Sequence, residues 1–401
     1  MKAKAGLMIF SVVVIGLLVY FASSDFYSGI KPAIFPPVEN ISEFEDQTNL
    51  GLKIANDFSI SIFAEGLVAP RMLTYDPAGH LIASITSEGG VVVLPDRDGD
   101  GKSDETIVLL KNLNRPHGLA VRCTEQCQLY VAETDKVVLY DYQYDETRKI
   151  HQPVNGRKII DLPSGSGHFT RTLLFLPSPD DHKLLISTGS SCNVCQEEDS
   201  RRAKIFSANA DGSDFQKYAT GLRNAVFMAI HPVTGEIWAT EMGRDNLGDN
   251  LPPDEINIIK ENSWYGWPWF YGKNIEDHSW SDGIPSYAFE PVPSHIDIPA
   301  HSAPLGLAFI PEEGWSEDYW YNLLVAYHGS WNSSVPTGYK VVRLKLDAQG
   351  NYAGTEDFLS GWLQPNGAAL GRPVDILIQP GGVIYISDDK AGVIYRVTYQ
   401  P

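Results

Sequence analysis

Residues 221–240 read GLRNAVFMAIHPVTGEIWAT and contain the unit on which the fold prediction rests. Arg223 and Asn224 precede a short apolar segment, a turn follows at 232–235, and residues 236–241 have the pattern of a returning strand. Two strands joined by a tight turn, with polar residues in front of the first strand, therefore form this unit.

The same plan occurs six times along the chain. The copies lie at 69–81, 115–131, 171–186, 223–240, 304–327 and 372–388. Several continue into a third strand, at 90–94, 136–139 and 392–397. Repetition without the 3.6-residue period of helices predicts an all-β, six-bladed β-propeller over residues 52–401. Residues 58–63 alternate cleanly and are predicted to supply the outer strand that closes the ring with the last blade.

Composition agrees with one large β architecture. The chain has 401 residues, of which 43% are hydrophobic, so it can bury a large core. Its 50 acidic and 31 basic side chains give a net charge of -19. This charge repels nucleic acid and anionic membrane surfaces, so we expect no DNA or RNA partner.

The N-terminal residues indicate export. Lys2 and Lys4 precede an apolar run at 5–21, and Ala22, Ser23 and Ser24 follow it. Residues 1–24 are therefore predicted to be a signal peptide or a membrane anchor, since the run has the length at which the two overlap. Residues 25–51 contain several prolines and are predicted to be a linker. The predicted location is the periplasm or another exported compartment.

The four cysteines fall into two local pairs, Cys123 with Cys127 and Cys192 with Cys195. In an exported chain such pairs predict disulfides. Covalent haem would need a histidine after Cys195, where Gln196 stands, and zinc would need a second pair at ligand spacing.

Each copy of the repeat also carries polar residues in the loop that leads into its first strand, here called the leading loop. These residues are Arg71, His117, His168 with Arg171, Arg223 with Asn224, His301 with Ser302, and Arg372. Since the leading loops of a propeller converge on its central channel, they predict a basic funnel and an anionic ligand. The alternative is that each arginine pairs with a carboxylate of a neighbouring blade.

Motifs in these loops and in the acidic loop after them resemble those of the soluble, pyrroloquinoline-quinone-dependent sugar dehydrogenases, and most closely their sorbosone dehydrogenase branch. The carriers are GHFTR at 167–171, GLRN at 221–224, EMGR at 241–244, DEIN at 254–257, YGWP at 265–268, HSAPLGLAF at 301–309, HGSWN at 328–332 and GRPV at 371–374. Their order and spacing cover the whole predicted propeller.

This resemblance implies roles for individual residues. His168 stands where the family keeps the base that takes the substrate's hydroxyl proton while hydride passes to the quinone. Arg223 and Asn224 stand where the family contacts the quinone oxygens, and the carbonyls of Gly243 and Arg244 match a turn that holds Ca²⁺ against the cofactor.

Four further residues receive implied roles. Glu255 and Tyr265 match a second, structural Ca²⁺ site. Arg372 and Lys340 are in position to neutralise the cofactor's carboxylates, and Arg171 is counted among the cofactor-binding residues.

The chain departs from the glucose-oxidising members, which have proline and glutamine where Ala225 and Val226 stand. The departure agrees with the sorbosone branch. We therefore expect a quinoprotein that oxidises an aldose or a sugar-derived aldehyde and passes electrons to a separate acceptor. The alternatives are a Ca²⁺-dependent propeller lactonase or esterase and a non-catalytic periplasmic propeller.

A separate acidic segment at 96–104, DRDGDGKSD, resembles the first half of an EF-hand loop. Ile107 stands where the bidentate glutamate of such a loop belongs. The segment predicts either a weak Ca²⁺ site or an Asx-rich hairpin turn.

Overall fold

The computed structural model describes residues 51–280, 284 and 290–400. These residues form β-strands and two short 3₁₀ helices, Thr86–Glu88 and Glu317–Tyr319, and contain no α-helix. None of the helices in these ranges is long and apolar enough to cross a membrane. The predicted signal or anchor segment at 1–24, and the linker up to residue 50, lie outside the described residues.

Two strands precede the first blade, β1 (Lys53–Ile54) and β2 (Phe58–Ala64). The first three blades contain β3 (Pro70–Tyr75), β4 (Leu81–Ile85), β5 (Gly90–Leu94), β6 (Ile107–Leu110), β7 (Gly118–Cys123), β8 (Cys127–Ala132), β9 (Lys136–Asp145), β10 (Ile150–Asp161), β11 (Leu173–Phe175), β12 (Lys183–Thr188), β13 (Lys204–Asn209) and β14 (Gln216–Thr220).

The last three blades and their connections contain β15 (Ala225–Ile230), β16 (Ile237–Glu241), β17 (Asp254–Ile259), β18 (Ser263–Trp264), β19 (Phe270–Tyr271), β20 (Ile275–Glu276), β21 (Ile296–Ile298), β22 (Pro304–Phe309), β23 (Leu323–Tyr327), β24 (Lys340–Leu346), β25 (Tyr352–Ser360), β26 (Pro373–Ile378), β27 (Ile384–Asp388) and β28 (Val393–Tyr399).

The strands pair into six sheets that form the blades, four of them with four strands and two with five. The fifth strands are β18, which pairs in parallel with β14, and β1, which pairs with β25. The first strands of the blades, β3, β7, β11, β15, β22 and β26, contact one another in a closed ring around the central channel. These strands approach closely. A Cβ at Gly306 would lie 2.6 Å from the Asp375 Cα, so only glycine fits there. The predicted six-bladed propeller is confirmed.

The predicted closing strand is also confirmed. Strand β2 pairs with β28 at the outer edge of the last blade, where Phe58 lies opposite Tyr399. Strand β1 was not predicted, and it pairs with β25 at the outer edge of the fifth blade.

The core is divided into six apolar clusters, and each cluster lies between two neighbouring blades. Trp238, which is fully buried, lies in the cluster between blades four and five. Because every blade buries both faces against its neighbours, the ring holds the leading loops in a fixed arrangement at one end of the channel.

Candidate active site

His168 lies in the leading loop of the third blade and is oriented by Ser190. Its backbone N–H donates to the Ser190 carbonyl at 2.9 Å, and its Nδ1 lies 3.1 Å from that carbonyl and 3.0 Å from Ser190 Oγ. Ser190 Oγ itself donates to the Cys192 carbonyl at 2.6 Å. Both Ser190 oxygens therefore act as acceptors, so Nδ1 carries the proton and Nε2 keeps its lone pair.

The electrostatic surroundings keep this imidazole neutral. Burial, and after it the positive charge of Arg223, lower the pKa of His168 from 6.5 to about 3. No protein group in the described ranges bonds to Nε2. The ring is thus an unprotonated base with its lone pair available.

Arg223 is buried beside His168 and is held by the 190–195 loop and the 242–245 turn. Its Nε donates to the Asn193 carbonyl at 2.9 Å, its Nη2 donates to Asn193 Oδ1 at 3.1 Å and to Asp245 Oδ2 at 3.3 Å, and its Nη1 donates to the Met242 carbonyl at 3.3 Å. These four bonds leave one Nη1 hydrogen without an acceptor among the described residues.

Asn224, the next residue, is fixed through its backbone. Its N–H donates to Glu241 Oε1 at 2.9 Å, while its side-chain Oδ1 is buried without a hydrogen-bond partner in the described structure. Gly189 makes this packing feasible, since a Cβ there would lie 2.6 Å from both Asn224 Oδ1 and His168 Cβ. The pair Arg223–Asn224 therefore presents one free donor and one free acceptor next to His168.

A second group of charged residues lies across the channel, in the fifth, sixth and first blades. Asp389 accepts a hydrogen bond from Arg71 Nη1 at 2.5 Å and lies 2.9 Å from His328 Nε2. Burial raises the pKa of Asp389, but the His328 hydrogen bond and the charges of Arg71 and Arg372 outweigh burial and hold that pKa below its ordinary value. Asp389 is therefore an anion that is stabilised by Arg71, Arg372 and the ring of His328.

Arg372 belongs to this second group. Its Nε donates to the His328 carbonyl at 2.9 Å, and its Nη2 donates to the Gly329 carbonyl. The same loop reaches the Arg223 group, since Asn332 Nδ2 donates to Asp245 Oδ1 at 2.8 Å. Loop 328–332 thus connects the two groups of the channel mouth.

Other predicted residues lie elsewhere. The Arg171 guanidinium is fully buried and donates to the carbonyls of Thr134, His168, Thr170 and Pro163, so it supports the loop that carries His168. Lys340 pairs with Asp357 at 2.9 Å, outside the network of the two groups.

Two histidines of the leading loops also have protein contacts. His117 is fully buried with its ring edge against Phe227, at 5.1 Å between centroids. His301 Nε2 lies 2.8 Å from the Gly248 carbonyl. Arg71 pairs with Asp389 of the neighbouring sixth blade, as the alternative predicted, and Arg223 pairs with Asp245 of its own blade. Arg171 and His117 are fully buried, so the basic funnel stays a prediction for Arg71, Arg223 and Arg372.

The four residues predicted to bind metal surround one small cavity of about 20 Å³. Gly243, Arg244, Glu255 and Tyr265 line it, together with Glu241. This volume is sufficient for one water molecule or one ion. The sequence motifs suggested two separate Ca²⁺ sites, and residues of both motifs line this one cavity. The Tyr265 hydroxyl is already paired, since it donates to the Ile258 carbonyl at 2.6 Å and accepts the Lys260 N–H at 2.8 Å.

The donor set of this cavity suits a hard cation. Glu241 Oε2 is buried without a partner in the described structure. Burial, and then the charge of Glu255, raise the pKa of Glu241 well above its ordinary value, and burial raises the pKa of Glu255 to about 7. In the described ranges no protein donor bonds to the Gly243 or Arg244 carbonyl. Oxygen ligands of this kind are those that Ca²⁺ prefers.

Both predicted disulfides are present: Cys192–Cys195 closes the loop beside His168 and Arg223, and Cys123–Cys127 lies outside the site. In the 96–104 segment the carboxylates of Asp96, Asp98 and Asp100 converge, yet they accept backbone N–H groups of their own turn. These are the hydrogen bonds of Asx turns.

The fold and the channel define a six-bladed propeller with a neutral histidine and buried arginines at one end of its axis. The chain belongs to the TrAA12-like family, whose model matches residues 52–267 and 286–400. The predicted resemblance is confirmed at this level, and the sorbosone branch stays a prediction.

Similar proteins include one of Borreliella burgdorferi without an assigned function, 30% identical over 90% of this chain and 95% of that protein. A pyrroloquinoline quinone-dependent sugar dehydrogenase of Hypocrea jecorina is 26% identical over 52% of this chain and 50% of its own length. A pyrroloquinoline quinone-dependent pyranose dehydrogenase of Coprinopsis cinerea is 24% identical over 88% of this chain and 55% of its length. The chain thus spans about half of these two quinoproteins.

Solved structures share the fold. A Trichoderma reesei protein of Carbohydrate-Active Enzymes Family AA12 superposes with a TM-score of 0.75 at 21% identity, covering 87% of this chain and 98% of that one. The quinone domain of the Coprinopsis cinerea pyranose dehydrogenase, in its holo form, gives 0.71 at 22% identity over 88% and 98%.

Proposed function

We propose that this chain is a pyrroloquinoline-quinone-dependent oxidoreductase that oxidises an aldose or a sugar-derived aldehyde of the sorbosone type. The proposal rests on one observation. His168 is neutral, its Nε2 has no hydrogen-bond partner in the described structure, and it lies next to the buried pair Arg223–Asn224. The Hypocrea and Coprinopsis relatives, a sugar dehydrogenase and a pyranose dehydrogenase that both depend on pyrroloquinoline quinone, support the same chemistry.

The channel residues fit a planar tricarboxylate. Arg71 Nε is buried without a partner in the described structure, and Arg223 keeps one free donor. Arg372 makes its described hydrogen bonds only to carbonyls, so its guanidinium can also bind a carboxylate while its charge acts on Asp389. Trp331, 72% exposed in the 328–332 loop, offers a flat aromatic face.

When bound, the quinone supplies a two-electron acceptor. His168 accepts the proton of a substrate hydroxyl at Nε2, and the two Ser190 acceptors stabilise the imidazolium through its Nδ1–H. For an aldehyde substrate the hydroxyl is that of the hydrate. The remaining Nη1 hydrogen of Arg223 would donate to an oxygen on which negative charge develops, as in other preorganised sites.

Ca²⁺ belongs to the proposal as a second cofactor. The cavity is large enough for one ion, and Glu241 Oε2 is its carboxylate oxygen without a partner in the described structure. Both Glu255 oxygens accept hydrogen bonds, from Asn257 Nδ2 and the Gly272 N–H, so an ion there would share this carboxylate with them. A bound Ca²⁺ would neutralise two buried carboxylates whose pKa values are raised. It would also fix the 242–245 turn, which holds Arg223.

We further propose that the protein acts after export, with residues 5–24 as signal or anchor, and that it passes electrons to a separate acceptor. The two disulfides support an oxidising compartment.

The deciding experiment is reconstitution. The purified full chain is titrated with pyrroloquinoline quinone in Ca²⁺, quinone absorbance is followed, and reduction of an artificial dye is measured with a panel of aldoses and hydrated sugar aldehydes. Stoichiometric quinone binding and sugar-dependent dye reduction are expected. Absence of quinone binding would refute the proposal, and lactone hydrolysis without quinone would replace it with a hydrolase.

A further inference from the structure

The loop at 190–195 lies between the two residues that carry the proposed chemistry. The disulfide Cys192–Cys195 closes this loop over a separation of three residues. His168 contacts the loop on one side and Arg223 contacts it on the other.

Ser190 makes the contacts on the His168 side. Its carbonyl accepts the His168 N–H at 2.9 Å, and its own N–H donates to the Arg223 carbonyl at 2.7 Å. Its hydroxyl is turned by the Cys192 carbonyl, at 2.6 Å, so that the oxygen accepts from His168 Nδ1. The Cys192 carbonyl therefore orients the Ser190 hydroxyl as a second acceptor beside the Ser190 carbonyl, and the two acceptors together keep the imidazole proton on Nδ1.

Asn193 makes the contacts on the Arg223 side, and it lies between the two cysteines. Its carbonyl and Oδ1 accept from Arg223, and Oδ1 also accepts the Asp245 N–H at 2.7 Å. Its Nδ2 donates to the Asp245 carbonyl at 3.1 Å. Every polar atom of this side chain is used to join Arg223 to the 242–245 turn.

We propose that the disulfide-closed loop at 190–195 is a positioning element that sets the His168 tautomer and the Arg223 guanidinium together. The loop has no strand of its own, since it runs between β12 and β13. Without the disulfide, only the hydrogen bonds of the loop would offset the conformational entropy that its residues lose when they are ordered. Ser190 and Asn193 act through His168 and Arg223, so they are positioning residues.

The second disulfide provides a matched control. Cys123–Cys127 joins the end of β7 to the start of β8, and none of the described hydrogen bonds of His168 or Arg223 involves it. A double serine variant of either pair removes one local disulfide. Only Cys192→Ser with Cys195→Ser removes the closure of the positioning loop.

The first measurement needs no cofactor. Amide hydrogen exchange of the full chain is followed at His168, Ser190 and Asp245, whose N–H groups bond within this element. In the Cys192→Ser/Cys195→Ser variant we expect these three amides to exchange at least about 10-fold faster, with the other blades unchanged. The Cys123→Ser/Cys127→Ser variant should leave all three as in the wild type. Asn193→Ala, which keeps the disulfide, should accelerate Asp245 alone.

The second measurement rests on the proposed function. In the Cys192→Ser/Cys195→Ser variant, dye-linked kcat should fall about 10²-fold, because a displaced base and guanidinium lose their alignment. Quinone affinity should also fall, and the acid limb of the kcat pH profile should move, since the Ser190 contacts bear on His168. The control variant should keep the wild-type values.

The outcomes separate the two ideas. If the wild type binds no quinone, the proposed function fails. Amide hydrogen exchange still tests whether the disulfide-closed loop positions His168 and Arg223. Unchanged exchange at the three amides in the Cys192→Ser/Cys195→Ser variant would overturn the inference. Acceleration spread evenly over all six blades would also overturn it, because the disulfide would then serve general stability.

Discussion

The state of His168 gives the sharpest prediction. The pKa of this imidazole falls from 6.5 to about 3, first because the ring is buried and then because Arg223 lies near it. A shift of this size disfavours protonation by about 5 kcal/mol. At pH 7 only about one molecule in 10⁴ would carry an imidazolium, so nearly every molecule has a free Nε2 lone pair.

The perturbation is His168→Ala. Loss of a general base costs about 10² to 10⁴ in rate, so kcat for dye reduction should fall within that range. Quinone affinity should stay within about twofold, because the carboxylate partners in the proposed function are Arg71 and Arg372 and not His168. His278→Ala is the control, since that side chain is 85% exposed, and it should leave both quantities unchanged.

Two assays check the reasoning. Steady-state dye reduction, with quinone titrated at saturating Ca²⁺, gives kcat and affinity for both variants. Proton NMR of the cofactor-free wild type follows the His168 ring as the pH is lowered, with His168→Ala for assignment. Full turnover in His168→Ala would refute the assigned role, and a ring that titrates near 6.5 would refute the electrostatic argument.

Three further results are expected. Chelating Ca²⁺ should lower Tm, because a ligand at 100 times its Kd contributes about 2.7 kcal/mol to the free energy of unfolding. Calorimetry should find that this shift in Tm is lost in Glu255→Gln and kept in Asp98→Asn. The reverse pattern would assign Ca²⁺ to the acidic hairpin at 96–104. Burial raises the pKa of Asp375 from 3.8 to about 7. The native state therefore keeps a proton that the unfolded chain loses, and the free energy of unfolding should fall by up to about 4 kcal/mol as pH rises from about 4 to about 7. Urea titrations should show that the free energy of unfolding of Asp375→Asn falls less steeply with pH than that of the wild type. Equal pH dependence in the two proteins would count against a raised pKa of Asp375. Arg372→Met should weaken quinone binding about 10-fold or more, which is the typical loss for a hydrogen bond to a charged group. The control, Arg157→Met on the second blade, should bind quinone as the wild type does. Equal quinone affinities of the two variants would remove Arg372 from the site.

The blades were predictable because each inner strand pair leaves a local pattern in the sequence. The closing strand β2 was predictable for the same reason, since Phe58 to Phe63 alternate. Strand β1 has only two residues, Lys53–Ile54, which is too short for any periodicity. Its pairing depends on the edge of β25, which is more than 290 residues away along the chain and invisible locally.

Within the site, the motifs located backbone positions better than side-chain directions. Arg171 stands at the repeat position of the other funnel residues, yet its guanidinium turns inward to four carbonyls. Asp389 was missed because it follows the end of β27, and its importance comes from Arg71 and His328 in other blades. Asn193 was missed because the pattern CNVC at 192–195 indicates only a cysteine pair, whereas the role of Asn193 depends on Arg223 and Asp245, which are distant in the sequence.

The pairing of β2 with β28 makes the N-terminal closing strand and the last strand of the propeller direct neighbours. Phe58 lies opposite Tyr399, and Ser59 Oγ lies 2.8 Å from Thr398 Oγ1. The ring therefore has a single seam, held by hydrogen bonds and apolar packing instead of a covalent link. A short linker between the two strands, with a new opening in the exposed turn at 98–100, should yield a circular permutant with the same channel. The seam also orders assembly, because the last blade cannot gain its outer strand until both ends of the domain have met.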